Sequence, residues 1–360
     1  MRIKKAVLTG GGRGTRLHPV TITTNKHLVP LANKPMIFHA IEKAVEAGIE
    51  EIFINTNPGE TELQKYIGDG GHWDIKIKFY EQTGGPQGVA HVAAEARKFI
   101  GDDPFMFYFS DNILLGSLKE MVNDFAENNR DCMLALSKVP DPERFGVPKF
   151  ENGKIVDVFE KPSVPPSNFA VVGIYLYGPK VFYKAFDNIE KSARGEYEIS
   201  SVNSYLLKNG YNVGHKEITG WWKDTGKPKD LLLANKLILE KMSHQNFRVS
   251  RQYSFYDDKK IHIGVGTTIG ENVNILEPVI IGENCKLNNC TIGPNTTIGT
   301  GVHINGAKIS NSIILQNTKI DTKLHICDSL IGKNVSIERK QQNDLEGRVM
   351  MIGDKTKIEI

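Results

Sequence analysis

The sequence predicts an α/β domain with a mostly parallel sheet, followed by a parallel β-helix. Three observations carry that reading. Up to about residue 240 short apolar runs alternate with helical stretches, a glycine-rich loop follows the first run, and beyond residue 260 an aliphatic side chain recurs every six positions. A chain of 360 residues, 40% hydrophobic and 24% charged, is long enough for two ordinary domains and has the balance of a folded soluble protein.

The elements of the first half read in order as KKAVLT, MIFHAIEKAVEAG, IEEIFINTN, ETELQKYIG, DIKIKFYEQ, GVAHVAAEARKFIG and PFMFYFSDN. Short β-type runs separated by helical stretches are the pattern of strands joined by crossover helices, a Rossmann-like arrangement. Ligands of such a sheet sit outside the carboxyl ends of its strands. The period then changes. Ile263, Ile269, Ile275, Ile281, Leu287, Ile292, Ile298, Ile304, Ile309, Ile314, Ile320, Ile326, Ile331 and Ile337 follow one another at six residues, slipping occasionally to five. Glycine comes directly after several of them. A period of six fits neither helix nor alternating strand; it fits a coil with three flat faces, each unit placing one aliphatic side chain inside a narrow prism. The stretch EGRVMMIGDKTKIEI alternates like a strand and is expected to cap the prism or to pair with a neighbouring subunit. The expected limits are 1–242 for the catalytic domain, 243–256 for a linker, 257–340 for the β-helix and 341–360 for the tail.

Forty-five basic residues against 42 acidic ones leave +3, too little for a nucleic-acid surface. No run of about 18 apolar residues suggests a membrane span, and MRIKKAVLTGGG is interrupted by glycine too early for a signal peptide. Cys132, Cys285, Cys290 and Cys327 lie far apart with no C-x-x-C spacing, which suits reduced thiols in a cytoplasm. Small-molecule partners and a cytoplasmic location are the expectation.

The loop GGGRGTRLHP has neither the G-x-x-x-x-G-K-[ST] of a P-loop nor the G-x-G-x-x-G of a dinucleotide site. What it offers is backbone amides free of bulky side chains, from Gly10 through Gly11, Gly12 and Gly14 to Thr15, with guanidiniums beside them. Such a loop can wrap anionic oxygens while an arginine neutralises them.

The longer stretch GGGRGTRLHPVTITTNKHLVPLANKPMI resembles the signature of the sugar-phosphate nucleotidylyltransferases, G-G-x-G-T-R-L-x-P-x-T followed by a lysine and then K-P-M. GDGGHWDIKIKFYEQ, SDN, RFGVPKF, FEKP, VVGIYLYG, RGEYEIS and WWKDTG follow in the family's order, so the resemblance covers essentially the whole chain. Within the superfamily it is nearest to long-form glucose-1-phosphate thymidylyltransferases, which carry a left-handed β-helix of hexapeptide repeats behind a Rossmann-like nucleotidyltransferase domain.

The resemblance implies attack by a sugar 1-phosphate on the α-phosphorus of dTTP or UTP, giving a nucleotide sugar and pyrophosphate. Two polyanions must meet, so the work is charge neutralisation and alignment. By this resemblance Arg16, Lys26 and Lys161 are the catalytic cations. Leu8, the loop glycines, Thr15, Gln82, Gly88 and Asp111 hold the nucleotide, and Asp111 and Asp224 are the Mg²⁺ ligands. Gly146, Glu160, Lys161, Val172, Gly173 and Glu196 receive the sugar phosphate, while Glu198 is expected to be structural and Arg13 has no assigned role. Magnesium prefers oxygen donors and needs few carboxylates when phosphates complete its shell. Gln82 and Gly88 are six residues apart where the family usually has five, and SDN replaces the commoner GDN. A homo-oligomer is the expected assembly. Hexapeptide helices also carry acetyltransferases that use a catalytic histidine, and His262, His303 and His325 are available for that role. A catalytically silent scaffold is the remaining alternative, against which stands the complete charged set Arg16, Lys26, Asp111, Lys161 and Asp224.

Overall fold

The computed structural model describes residues 2–12, 14–218, 220–242, 253–255, 260–338, 347–348, 350–354 and 357–359. Arg13 and most of the expected 243–256 linker lie outside them. The chain forms two compact units: Met1–Gly12 with Ile37–Lys223, and Arg13–Met36 with Asp224–Ile360. The expected boundary near residue 242 therefore does not coincide with this division, because the segment after the glycine loop packs with the carboxyl-terminal part of the chain.

The first unit is built on a nine-stranded sheet. Lys5–Thr9 lies at its centre, parallel to Glu51–Thr56 on one side and to Phe105–Tyr108 on the other, and Lys76–Glu81 continues the parallel part. The chain leaves the central strand in one direction and returns to the opposite side, which puts a topological switch point at the carboxyl ends of Lys5–Thr9 and Phe105–Tyr108. Phe169–Tyr177 runs antiparallel to Phe105–Tyr108 and to Cys132–Lys138, and it meets the hairpin of Gly146–Glu151 and Lys154–Glu160. The central strands are apolar on both faces; Val7, Phe53, Phe105 and Phe107 are all buried in one core with Ala90, Ala93 and Phe182 from the helices above them. Continuous apolar runs such as FMFY mark strands covered on both sides.

In the second unit the hexapeptide positions fall into short strands of three parallel sheets. One column runs Ile275, Ile292, Ile309 and Ile326, each directly opposite the next. The sheets turn corners at residues with positive φ, among them Asn284, Asn289, Asn295, Asn311 and Asn317. Asparagine tolerates this region better than other residues with a β-carbon. Asn272 donates to Asn289 at 3.0 Å, Asn289 to Asn305 at 3.2 Å and Asn305 to Asp321 at 2.9 Å, so the polar side chains form a ladder outside the prism. The arrangement is a parallel β-helix, consistent with the left-handed form implied by the hexapeptide resemblance. Strands at Gly347–Arg348, Met351–Ile352 and Lys357–Glu359 extend all three sheets, so the described part of the tail forms one more coil.

The face of the prism containing Ile280, Thr297, Ile313 and Leu330 is buried. Helix Pro228–Lys241 and residues 13–36 belong to the same unit, and both bond to this side: Asn235 accepts from the Thr297 hydroxyl at 3.4 Å and from the Ala32 amide at 2.8 Å, and Asn33 donates to the Ile298 carbonyl at 2.7 Å. Among the described residues no helix is long and apolar enough to cross a membrane.

Candidate active site

At the switch point of the first unit, Leu8 is fully buried and Thr9 ends the central strand, its hydroxyl accepting from the Ser110 amide at 2.9 Å. The amides of Gly10 and Gly11 both donate to Asn55 Oδ1, at 2.9 and 3.5 Å, and the Gly12 amide donates to Asn57 Oδ1 at 3.3 Å. Two asparagine oxygens thus occupy donors that the sequence assigned to phosphate. A β-carbon on Gly10 would lie 2.6 Å from the Asn55 carbonyl, so this close approach requires glycine.

Asp111 follows the Phe105–Tyr108 strand, and its Oδ1 accepts from Asn112 Nδ2 at 2.9 Å. Asn112 is buried, and its own oxygen accepts from the Trp222 indole at 2.8 Å and from the Gly173 amide at 3.3 Å. One amide side chain therefore ties together SDN, VVGIYLYG and the start of WWKDTG. Gly173 is glycine for want of space, since a β-carbon would come within 2.5 Å of the Phe109 ring. Burial, with a lesser contribution from the Asp111 charge, pushes the Tyr108 hydroxyl well above its usual range and keeps it neutral; it donates to the Asn112 carbonyl at 3.0 Å.

Gln82 begins the loop after Lys76–Glu81 and is half-buried. Its neighbour Thr83 is clamped: amide and hydroxyl both donate to Glu95 Oε1, at 2.9 and 2.5 Å. At the far end of the loop Gly88 has φ 98°, and a β-carbon there would lie 2.5 Å from the Tyr197 carbonyl. The Tyr197 amide in turn donates to the Gln87 carbonyl at 2.7 Å. The extra residue in QTGGPQG is thus accommodated between two fixed ends, through Gly84 and Gly85, both with positive φ.

Gly146 stands opposite Glu160 on one side and Val171 on the other. Lys161 has φ 44° and its ammonium lies 3.0 Å from Glu160. Arg194 joins this pair, 3.5 Å from Glu160, 3.8 Å from Glu196 and 2.7 Å from Glu198. Glu198 is buried and also accepts from the Ser192 hydroxyl at 2.9 Å, which supports its structural reading. Glu160, Lys161, Ser192, Arg194, Glu198 and Lys208 line a cleft of about 620 Å³. Val172 is fully buried within its strand and does not line this cleft.

In the second unit Gly14 takes φ 56°, and its carbonyl accepts from the Thr21 hydroxyl at 2.7 Å and from the Leu17 amide at 2.8 Å. The turn Thr15–Leu17 that follows presents Thr15 and Arg16 at the surface. A β-carbon on Gly226 would lie 2.9 Å from the Arg16 guanidinium, so the first motif and the DTG of the last one meet here. Lys26 is only 7% exposed, so its ammonium is not a solvated surface charge. It opens a short turn capped by Asn25, whose oxygen accepts from the His27 amide at 2.8 Å. Asp224 is half-buried at the end of strand Trp222–Asp224. Of the β-helix histidines, His262 is buried, His303 is exposed, and His325 lies 3.1 Å from the Ser310 hydroxyl.

Residues 5–241 match the nucleotidyl transferase family. The chain belongs to that family. Residues 288–359 match a second family, described as the GMPPB C-terminal domain. A low-salt glycan biosynthesis nucleotidyltransferase of Haloferax volcanii is 37% identical over 99% of this chain and 100% of its own. A glucose-1-phosphate thymidylyltransferase of Streptomyces antibioticus is 34% identical over 99% of both chains. Among solved structures, a Bacillus anthracis protein described as a glucose-1-phosphate thymidylyltransferase, in complex with a sucrose, superposes with a TM-score of 0.61 at 36% identity, covering 65% of this chain and 94% of that one. The protein is a nucleotidyltransferase of the sugar-phosphate type.

Three residues of this nucleotidyltransferase escaped the sequence reading. Asn112 and Arg194 lie inside motifs already noted, SDN and RGEYEIS, where only the acids had drawn attention. Glu95 had no signal at all, being one acid among several in GVAHVAAEARKFIG.

Proposed function

We propose that the enzyme transfers a thymidylyl or uridylyl group to a sugar 1-phosphate, with glucose 1-phosphate the first choice, releasing pyrophosphate. The observation that carries the acceptor half of this reading is the cleft in which Lys161 and Arg194 stand beside Glu160. Carboxylates accept hydrogen bonds from sugar hydroxyls, while an ammonium and a planar guanidinium meet the phosphate, the guanidinium with paired donors. Arg194 joins Lys161 as a phosphate ligand in this reading, and Glu196 remains at the sugar. Gly146 contributes a backbone group, while Val172 is fully buried and the Gly173 amide and carbonyl are bonded to Asn112 and Phe109, so a contact from these two requires those bonds to open.

For the donor half, Arg16 and Lys26 neutralise the triphosphate, and Gln82 and Gly88 read the base. Binding requires phosphate oxygens to displace Asn55 and Asn57 from the Gly10, Gly11 and Gly12 amides, or to rely on Gly14 and Thr15 beyond them. Attack of the acceptor phosphate on the α-phosphorus needs in-line placement and charge stabilisation rather than covalent help from the protein. Mg²⁺ fits the donor set: Asp111 and Asp224 offer hard carboxylate oxygens, and Asn112 orients one of them. When bound, the ion supplies Lewis-acid neutralisation of phosphate charge. The flat faces of the prism serve self-association in this reading, giving a homo-oligomer.

The test is pyrophosphate release with Mg²⁺ over a grid of nucleoside triphosphates and sugar 1-phosphates. Release with dTTP or UTP and glucose 1-phosphate is expected. Silence across the grid would overturn the proposal.

A further inference from the structure

The β-helix does more than extend the chain. Its last described coil carries Asp354, placed by strand Met351–Ile352, which pairs with Leu330–Ile331. Asp354 Oδ1 accepts from the Lys333 amide at 2.7 Å, which fixes the carboxylate to the prism. The other oxygen, Oδ2, accepts from the Thr23 hydroxyl at 2.5 Å and from that of Thr24 at 3.4 Å. Beside it Gly353 lies so close to the preceding turn that a β-carbon would come within 2.9 Å of Pro19. Thr24 is buried, Thr21 holds the Gly14 carbonyl, and Lys26 follows two residues later. The segment gripped by Asp354 is therefore the one that joins Arg16 to Lys26.

We propose that Asp354 is a positioning residue for nucleotidyl transfer, acting through Thr23 and Thr24 to hold the turn that carries Arg16 and Lys26. Charge-assisted hydrogen bonds are about twice as strong as neutral ones and more sharply directed, which suits a carboxylate to this task. The inference rests on the assignment of Arg16 and Lys26 to the triphosphate. It adds that the terminal coil of the prism is part of the catalytic apparatus.

Full-length Asp354→Ala and Asp354→Asn test it, together with the pair Thr23→Val and Thr24→Val, which breaks the same contact from the other side. In Asp354→Ala, hydrogen exchange of the amides of residues 14–28 is expected to quicken at least about tenfold. The kcat for pyrophosphate release falls by a comparable factor, while KM for the sugar 1-phosphate stays within about twofold. Asp354→Asn keeps an acceptor for Lys333 but loses the charge and the acceptor for the threonine hydroxyls, so it falls between wild type and Asp354→Ala in both. Combining Asp354→Ala with the threonine pair adds nothing further, the signature of one shared contact. Unchanged exchange over residues 14–28 in both Asp354→Ala and the threonine pair overturns the proposal, as does additivity. If the wild-type enzyme releases no pyrophosphate, the functional reading falls, and the exchange and its non-additivity still decide whether Asp354 holds the turn.

Discussion

The prism and the cleft beside Lys161 are built by opposite strategies. In the prism each contact is repeated: Ile292, Ile309 and Ile326 do the same work one coil apart, and Asn289 bonds to Asn305 as Asn272 bonds to Asn289. In the cleft and around Asp111 the contacts follow no repeat. Asn112 joins Asp111, Trp222 and Gly173, and Arg194 spans Glu160, Glu196 and Glu198. Repetition spreads stability over many equivalent residues, whereas a singular hub concentrates function in one side chain.

The widest separation of the two strategies comes from Ile309→Ala, which empties a fully buried position in the middle of the prism. It is expected to cost about 2–5 kcal/mol in denaturant unfolding, with KM for the sugar 1-phosphate unchanged in the folded protein. Asp111→Asn reverses the pattern. Turnover should fall about 100-fold, the scale of a lost electrostatic contact, while the thermal midpoint moves by no more than a few degrees. Equal turnover in Asp111→Asn and wild type would remove this carboxylate from the metal assignment.

Asn112→Ala should blur the comparison, because it leaves the Trp222 indole and the Gly173 amide without their acceptor. Each unpaired buried donor costs about 1–3 kcal/mol, and turnover is expected to drop with stability, which paired unfolding and kinetic measurements would register. Arg194→Ala affects acceptor binding alone in the proposed function: KM for the sugar 1-phosphate rises about tenfold, and KM for the nucleotide holds. An equal rise in both constants would place Arg194 outside the acceptor site.

The smallest effect concerns acid. Burial chiefly, with help from the Arg130 charge, holds His215 below its ordinary pKa of 6.5. A depressed histidine stabilises the fold above the unfolded value, and that contribution is lost as pH falls through 6.5 toward the folded value. His215→Phe, beside Phe150, should flatten the acid limb of the stability profile. A profile identical to wild type would show that His215 does not contribute to it.

The same contrast explains what could be read in advance. A six-residue period is local information, and every aliphatic position named from it lies in a strand of the three sheets. The charged residues of the proposed site stand out in the sequence because they sit in ordered motifs. The Asn112 hub does not, since its partner Trp222 is 110 residues away and hydrogen bonding between them follows no period. Gly88 shows a different limit: read as a contact for the base, it also needs to be glycine because the Tyr197 backbone leaves no room. Nor does sequence order reveal that residues 13–36 would pack with the prism, because that depends on Asn33, Asn235 and Asp354, polar residues with no common spacing.

The ladder of asparagines advances by 16 or 17 residues per coil, and neighbouring coils stand about 4.8 Å apart, the spacing of paired strands. The prism is therefore a ruler graduated in whole coils. Excising one complete coil would leave its register intact, yet it would draw Asp354 one graduation away from Thr23. Length, rather than any single side chain, is what such a deletion would alter, and the Arg16 turn would be where the error is felt.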